Sequence, residues 1–282
     1  MGARIISTLA LWAIAAAAII FGKSAGFSAL ICALALAANA EICALLRGAE
    51  FKPALWYIQL ATAAMFAAAA AMENPCNYFF AAPALAAVCL PILVSAIKDP
   101  FGDYFKKTVL PSVAVIFICP FMLQFYALMS TGTSAAGGIE SVMFALWIIA
   151  AAKFSDVGAY VVGCAFGRHK MAATISPNKT WEGALGGVAS AAAIGAAFAW
   201  LGGKYGVFWA EISPAAAALA SIPVGITAIV SDLIESIFKR RMGVKDSGKA
   251  IPGIGGALDL ADSLILCAPM GIAILTIFSL LK

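Results

Sequence analysis

S-P-A-A-A-A-L-A-S-I-P-V-G-I-T-A-I-V-S-D-L-I-E-S-I-F, residues 213–238, is a run of small and apolar residues that meets no ionisable side chain before Asp232. A run of 18 or more such residues is long enough to cross a bilayer as a helix. The rest of the chain reads the same way. Hydrophobic residues make up 63% of the 282 and charged residues 11%, with a mean hydropathy of +1.00. Soluble domains are about 45–50% apolar and about 25% charged. Too few polar residues remain here to cover a soluble core. The fold class is therefore all-α and polytopic, a protein of the membrane.

About nine apolar segments mark the expected spans: 5–21, 26–46, 54–72, 79–97, 108–130, 140–163, 183–201, 213–238 and 262–281. Several are rich in Ala, and Gly183, Gly186 and Gly187 open the seventh. Small residues let helices approach closely in lipid, where no water drives them together. Segment 5–21 follows Arg4 as a secretory signal would. It is long for one, however, and a second apolar segment comes almost at once, so it reads as an uncleaved first span.

Cations set the orientation. With the N-terminus inside, the inner segments hold Arg4; Arg47 and Lys52; Lys98, Lys106 and Lys107; Arg168, Lys170 and Lys179; and Lys239, Arg240, Arg241, Lys245 and Lys249. The outer segments hold only Lys23, Lys204 and Lys282, and Lys153 lies within a span. Lys and Arg gather on the cytoplasmic side of membrane proteins. The N-terminus is expected in the cytoplasm and the C-terminus outside. A short chain with no targeting extension fits a bacterial cytoplasmic membrane.

Residues 1–140 read as an N-terminal region of about five plain spans. Residues 141–282 carry acids and bases in or beside their spans and read as the catalytic region, with loops on the cytoplasmic face. The seven cysteines are scattered through apolar runs, none spaced C-x-x-C; they are small apolar fillers. Nothing points to nucleic acid as a partner.

Beyond the opening run, the chain continues K-R-R-M-G-V-K-D-S-G-K-A-I-P-G-I-G-G-A-L-D-L-A-D-S, residues 239–263. Asp232, Glu235, Ser236 and Lys239 fall at i, i+3, i+4 and i+7, on one helical face. Ionisable groups in a span usually face a polar cavity or one another, so this face is either a site or an ion-pair stripe that docks helices. The loop after it holds Lys245, Asp246 and Lys249. Its P-G-I-G-G stretch, with Gly253, Gly255 and Gly256, could turn backbone N–H groups toward a phosphate. Asp259 and Asp262, three residues apart, repel unless a cation lies between them, and Mg²⁺ suits oxygen ligands shared with substrate phosphates. Alternatively they are helix-start acids that cap free N–H groups. Carboxylates, a Lys/Arg cluster and glycines at one membrane face suit phosphoryl or nucleotidyl transfer to a lipid.

A second segment, K-F-S-D-V-G-A-Y-V-V-G-C-A-F-G-R-H-K-M-A-A-T-I-S-P-N-K-T-W-E-G-A-L-G-G, covers residues 153–187. Asp156 lies three residues from Lys153, the spacing of an ion pair inside a bundle. Lys179 with the hydroxyls of Ser176 and Thr180 could hold a triphosphate. Arg168, His169 and Lys170 can meet anionic headgroups, and His169, the single histidine, reads as a surface residue.

Across about residues 153–263 the chain resembles the phosphatidate cytidylyltransferases, or CDP-diacylglycerol synthases. Their signature runs S-x-x-K-R-x-x-x-x-K-D, P-G-H-G-G and D-R-x-D. Ser236, Lys239, Arg240, Lys245 and Asp246 match the first block. Pro252, Gly253, Gly255 and Gly256 match the second, and Asp259 and Asp262 the third. The D-x-G-A-Y and I-S-P-x-K-T-x-E-G-x-x-G-G elements around Asp156 and Lys179 are also similar. Two positions depart: Ile254 stands for the histidine and Leu260 for the arginine.

The resemblance implies the reaction CTP + phosphatidate → CDP-diacylglycerol + diphosphate. Asp259 and Asp262, with Asp232 or Asp246, would hold Mg²⁺, and a second ion is possible. Lys239, Arg240 and Lys245 would neutralise the triphosphate, while Ser176, Lys179, Thr180 and Ser236 contact nucleotide or lipid phosphate. A homodimer is also implied. Two other readings remain. One is a CTP-dependent kinase or cytidylyltransferase acting on a polyprenol-type lipid. The other, an ion-coupled transporter, is opposed by acids that cluster near one membrane face.

Overall fold

The computed structural model describes residues 2–71, 81–98, 102–131, 139–205, 212–248 and 255–280. Lys249, Pro252, Gly253 and Ile254 lie outside the described residues. The elements, in order, are α1 (Gly2–Gly48), α2 (Leu55–Ala70), α3 (Ala81–Lys98), α4 (Leu110–Ile116), α5 (Met122–Thr131), α6 (Ile139–Phe166), β1 (Lys170–Ala172), β2 (Ser176–Thr180), α7 (Trp181–Tyr205), α8 (Pro214–Arg241), α9 (Ala257–Ala261) and α10 (Leu264–Leu280).

Each expected apolar segment is helical where it is described, apart from one or two residues at the ends of 54–72, 213–238 and 262–281. Among the described residues, six helices are long and apolar enough to cross a membrane: Ala13–Gly48, Phe105–Thr131, Ser141–Phe166, Trp181–Tyr205, Pro214–Arg241 and Ala257–Leu280. Leu55–Ala70 and Ala82–Ala96 are apolar but shorter. The chain is an integral membrane protein. The first two expected spans merge into α1, which breaks direction at Lys23, a non-glycine residue in left-handed backbone with φ 49°. Two five-residue π-helical turns lie in the helical stretch Phe105–Thr131: Phe105–Val109 opens it and Phe117–Phe121 separates α4 from α5. Pro120 lies in the second, where the missing proline N–H disrupts the regular ladder. The all-α expectation needs one correction. Residues 170–180 form an antiparallel two-stranded hairpin, with Lys170 opposite Thr180 and Ala172 opposite Ser176. The polar loop between α6 and α7 satisfies its backbone there by pairing with itself.

The chain forms two compact units. The first comprises residues 1–137 and 242–261; the second comprises 138–241 and 262–282. In that unit α1 packs against α2, α5 and α9, around the buried Phe27, Ile58, Met65, Leu123 and Tyr126. A hydrogen bond from Asn39 Nδ2 to Thr62 Oγ1 (2.9 Å) ties α1 to α2.

The second unit is built on α6, α7 and α8. Its seam is made of small residues, as the glycines of the seventh segment led one to expect. A Cβ on Gly183 would lie 2.7 Å from the Ala159 carbonyl oxygen, and one on Gly187 would lie 2.8 Å from that of Ser155. The backbones touch at these points, and only glycine fits. One large side chain is enclosed nearby: Trp147, fully buried, donates its indole N–H to Ser221 Oγ at 3.0 Å.

Candidate active site

The close approach of α6 and α8 brings charge together inside the second unit. Asp232 and Glu235 lie one turn apart on α8, and Asp262 lies just before α10. One carboxylate oxygen from each lies within 4.8 Å of the others. Each acid also has a lysine. Lys179 Nζ is 2.7 Å from Asp232 Oδ2, Lys239 Nζ is 2.8 Å from Glu235 Oε2, and Lys153 Nζ is 3.2 Å from Asp262 Oδ1. Glu235 is buried, and Asp232 and Asp262 are half-buried. Ser231 Oγ fixes the turn by donating to the Asp262 carbonyl, and Ser263 Oγ accepts a bond from Lys153 at 2.8 Å. Lys153 also reaches Asp156 at 4.0 Å, the pair expected from spacing, but Asp262 is nearer.

Three carboxylates at this separation supply the hard oxygen donors that a divalent cation requires. The surrounding lysines supply charge for a polyanion. The cluster therefore fits a cation held together with phosphate.

Beside it is a cavity of about 220 Å³ lined by Asp156, Tyr160, Asn178, Lys179, Thr180 and Asp232 among others. Asp232 and Lys179 thus belong to both the acid cluster and the cavity wall. The hairpin carries Asn178 and Lys179 to this wall. Thr180, buried, is the N-cap of α7: its Oγ1 accepts the Gly183 N–H at 3.1 Å. Two residues further on, Glu182 accepts the backbone N–H groups of Arg168 and His169 and pairs with the His169 ring. His169 is itself exposed, as expected.

The remaining residues singled out in sequence fall as follows. Ser236 Oγ donates to Asp232 Oδ1 at 3.4 Å, and Arg240 Nε donates to the Ile175 carbonyl at 3.5 Å. Ser176 is half-buried on β2. The face of α8 is thus a cation-ready cluster and an ion-pair stripe together.

Lys245, Asp246, Gly255, Gly256 and Asp259 belong to the first unit. Lys245 and Asp246 are exposed. Gly255 has φ +124°, a conformation that demands glycine. Asp259 Oδ2 accepts the N–H of Gly256 at 2.7 Å and of Ser247 at 3.1 Å. Asp259 therefore reaches back to cap the start of α9, the alternative role that helix-start acids can play. Glu41, from α1, accepts the N–H groups of Ala257 (2.8 Å) and Leu258 (2.9 Å) and the Ser247 hydroxyl (2.8 Å). The N–H groups of residues 256–258 thus have carboxylate partners within the protein.

Two acids were missed in sequence. Glu235 was placed on the α8 face but not among the cation ligands, although its i+3 spacing from Asp232 was the available signal. Glu41 was passed over; a carboxylate at the end of an apolar span was the clue.

Comparison with known proteins adds an independent line. A family model described as the cytidylyltransferase family matches residues 2–278. The phosphatidate cytidylyltransferase of Mycobacterium leprae is 36% identical over 184 residues, 63% of this chain and 53% of that protein. The protein of the same name from Synechocystis is 43% identical over 116 residues, 41% of this chain and 37% of that one. An Escherichia coli protein named only as uncharacterized, YnbB, is 36% identical over 145 residues, 51% and 45% of the two chains. The matched stretch spans about half of these relatives' length or less.

Proposed function

The chain belongs to the cytidylyltransferase family, and on that premise we propose that it transfers CMP from CTP to phosphatidate, giving CDP-diacylglycerol and diphosphate. The observation that carries the reading is the cluster of Asp232, Glu235 and Asp262, each acid with its own lysine, beside a cavity. The names of the relatives supply the acceptor.

The phosphate oxygen of phosphatidate forms a bond to the α-phosphorus of CTP, and the bond to the β-phosphate oxygen breaks. The nucleophile is already anionic, so the protein needs no strong base. Its task is to bring two polyanions together, and fixed positive charge is the means. Lys179 holds phosphate at the cavity wall, and Lys239 and Arg240 neutralise the leaving diphosphate. Lys153 keeps Asp262 oriented. Asp232, Glu235 and Asp262 would hold Mg²⁺, which when bound screens the phosphate charges and fixes their geometry. Asp259 and Asp246 were expected in this set. Asp259 is assigned here as the cap that shapes the glycine turn, and Lys245 and Asp246 lie exposed in the first unit.

The finer topology belongs to the same reading. The N-terminus and the loops bearing Lys179 and Lys245 face the cytoplasm, as the cation distribution requires. The headgroup of phosphatidate enters from that leaflet while its acyl chains stay in the bilayer.

Purified protein given phosphatidate, Mg²⁺ and CTP labelled on the α-phosphate should transfer label to the lipid phase, and EDTA should stop it. A polyprenol acceptor run in parallel tests the lipid. Label on the prenol alone, or none on either beside an active family member, would overturn the proposal.

A further inference from the structure

Glu41 is the one acid in the described part of α1 before Gly48. A carboxylate beside an apolar span is costly unless donors meet it, and three do. All come from the segment that returns to the first unit: the Ser247 hydroxyl and the N–H groups of Ala257 and Leu258. Space around the carboxylate is also reserved. A Cβ on Gly248 would lie 2.6 Å from Glu41 Oε1, and one on Gly256 would collide with Oε2. Ser247 in turn donates its N–H to Asp259. Glu41 therefore ties together both ends of the loop that contains the described signature residues Lys245, Asp246, Gly255, Gly256 and Asp259.

We propose that Glu41 is a positioning residue for the transfer reaction, holding from α1 the loop that presents Lys245 and the Gly255–Asp259 turn. The proposal rests on the transferase reading above. It gives Gly248 and Gly256 a purpose: they leave room for the Glu41 carboxylate at the start of α9.

The test uses the full-length protein in detergent with Glu41→Ala, Glu41→Gln and, as control, Glu50→Gln at an exposed position. Hydrogen exchange is followed in peptides covering 242–248 and 255–261, alongside kcat and the KM for phosphatidate. In Glu41→Ala the N–H groups of Ala257 and Leu258 lose their acceptor. Their exchange should rise about tenfold or more, with α8 peptides unchanged. The kcat should fall about 10–100-fold, the range for groups that orient a catalytic shell, with KM for phosphatidate within about twofold. Glu41→Gln, which keeps one acceptor oxygen, should fall between, and Glu50→Gln should match wild type. Unchanged exchange at 255–261 would overturn the proposal. So would faster exchange in every helix, which marks a folding role, or a local exchange change with kcat intact. Wild-type protein without cytidylyl transfer would sink the reading of the function instead, and the exchange arm would still decide whether Glu41 holds the loop.

Discussion

Lys153 Nζ lies 3.2 Å from Asp262 Oδ1, although 109 residues separate them in the chain. This contact joins the middle of α6 to the turn before α10 and places a fixed positive charge behind one of the three clustered acids. A partner of that kind sets ligand orientation and basicity, and its loss costs about 10–100-fold in metal affinity or activity. Lys153→Met should lower labelled-lipid formation by that factor and raise the Mg²⁺ concentration needed for half-maximal rate. An unchanged Mg²⁺ titration would refute this role.

The third acid should matter as much as the two recognised from sequence. Glu235→Gln keeps shape but removes charge from the cluster. Turnover should drop at least about tenfold, and Mn²⁺ binding followed by paramagnetic resonance should weaken in parallel. Wild-type binding in this variant would remove Glu235 from the cation site.

Thr180 caps α7 through its hydroxyl. Thr180→Ala should cost about 0.5–2 kcal/mol of stability, seen as a lower thermal midpoint in detergent. Thr180→Ser should restore it. If serine fails to rescue, the methyl group rather than the cap is what counts.

The indole of Trp147 bonds Ser221 across the seam between α6 and α8. Interhelical hydrogen bonds in membrane proteins average about 0.6 kcal/mol and reach about 1.7. A double-mutant cycle of Trp147→Phe and Ser221→Ala should return a coupling in that range. Zero coupling would mean that the two groups find equal partners elsewhere.

Two glycines on α7 should respond in opposite ways. A side chain at Gly187 meets the Ser155 carbonyl at 2.8 Å, whereas Gly203 has nothing within 4 Å. Gly187→Ala should destabilise by about 1–3 kcal/mol, and Gly203→Ala should be neutral or mildly stabilising. Equal melting points for the two variants would contradict the close packing of α6 on α7.

Sequence by itself determined the class of the protein and the chemistry of its residues. Apolar runs such as 213–238 can only be satisfied in a bilayer, because the backbone closes its own hydrogen bonds in a helix and the side chains exclude water. The i, i+3, i+4 spacing of Asp232, Glu235 and Ser236 likewise fixed them on one face, since helical geometry is local. Tertiary structure decided which charges meet. Lys153 with Asp262, Lys179 with Asp232, and Glu41 with Ser247 are joined by packing of segments distant in the chain, and no local periodicity encodes a contact across 109 or 206 residues. It also decided between the two roles open to the signature aspartates. Asp259 accepts the Gly256 and Ser247 N–H groups while Asp262 meets Lys153, because two carboxylates of the same type take whichever donors the folded chain brings to each.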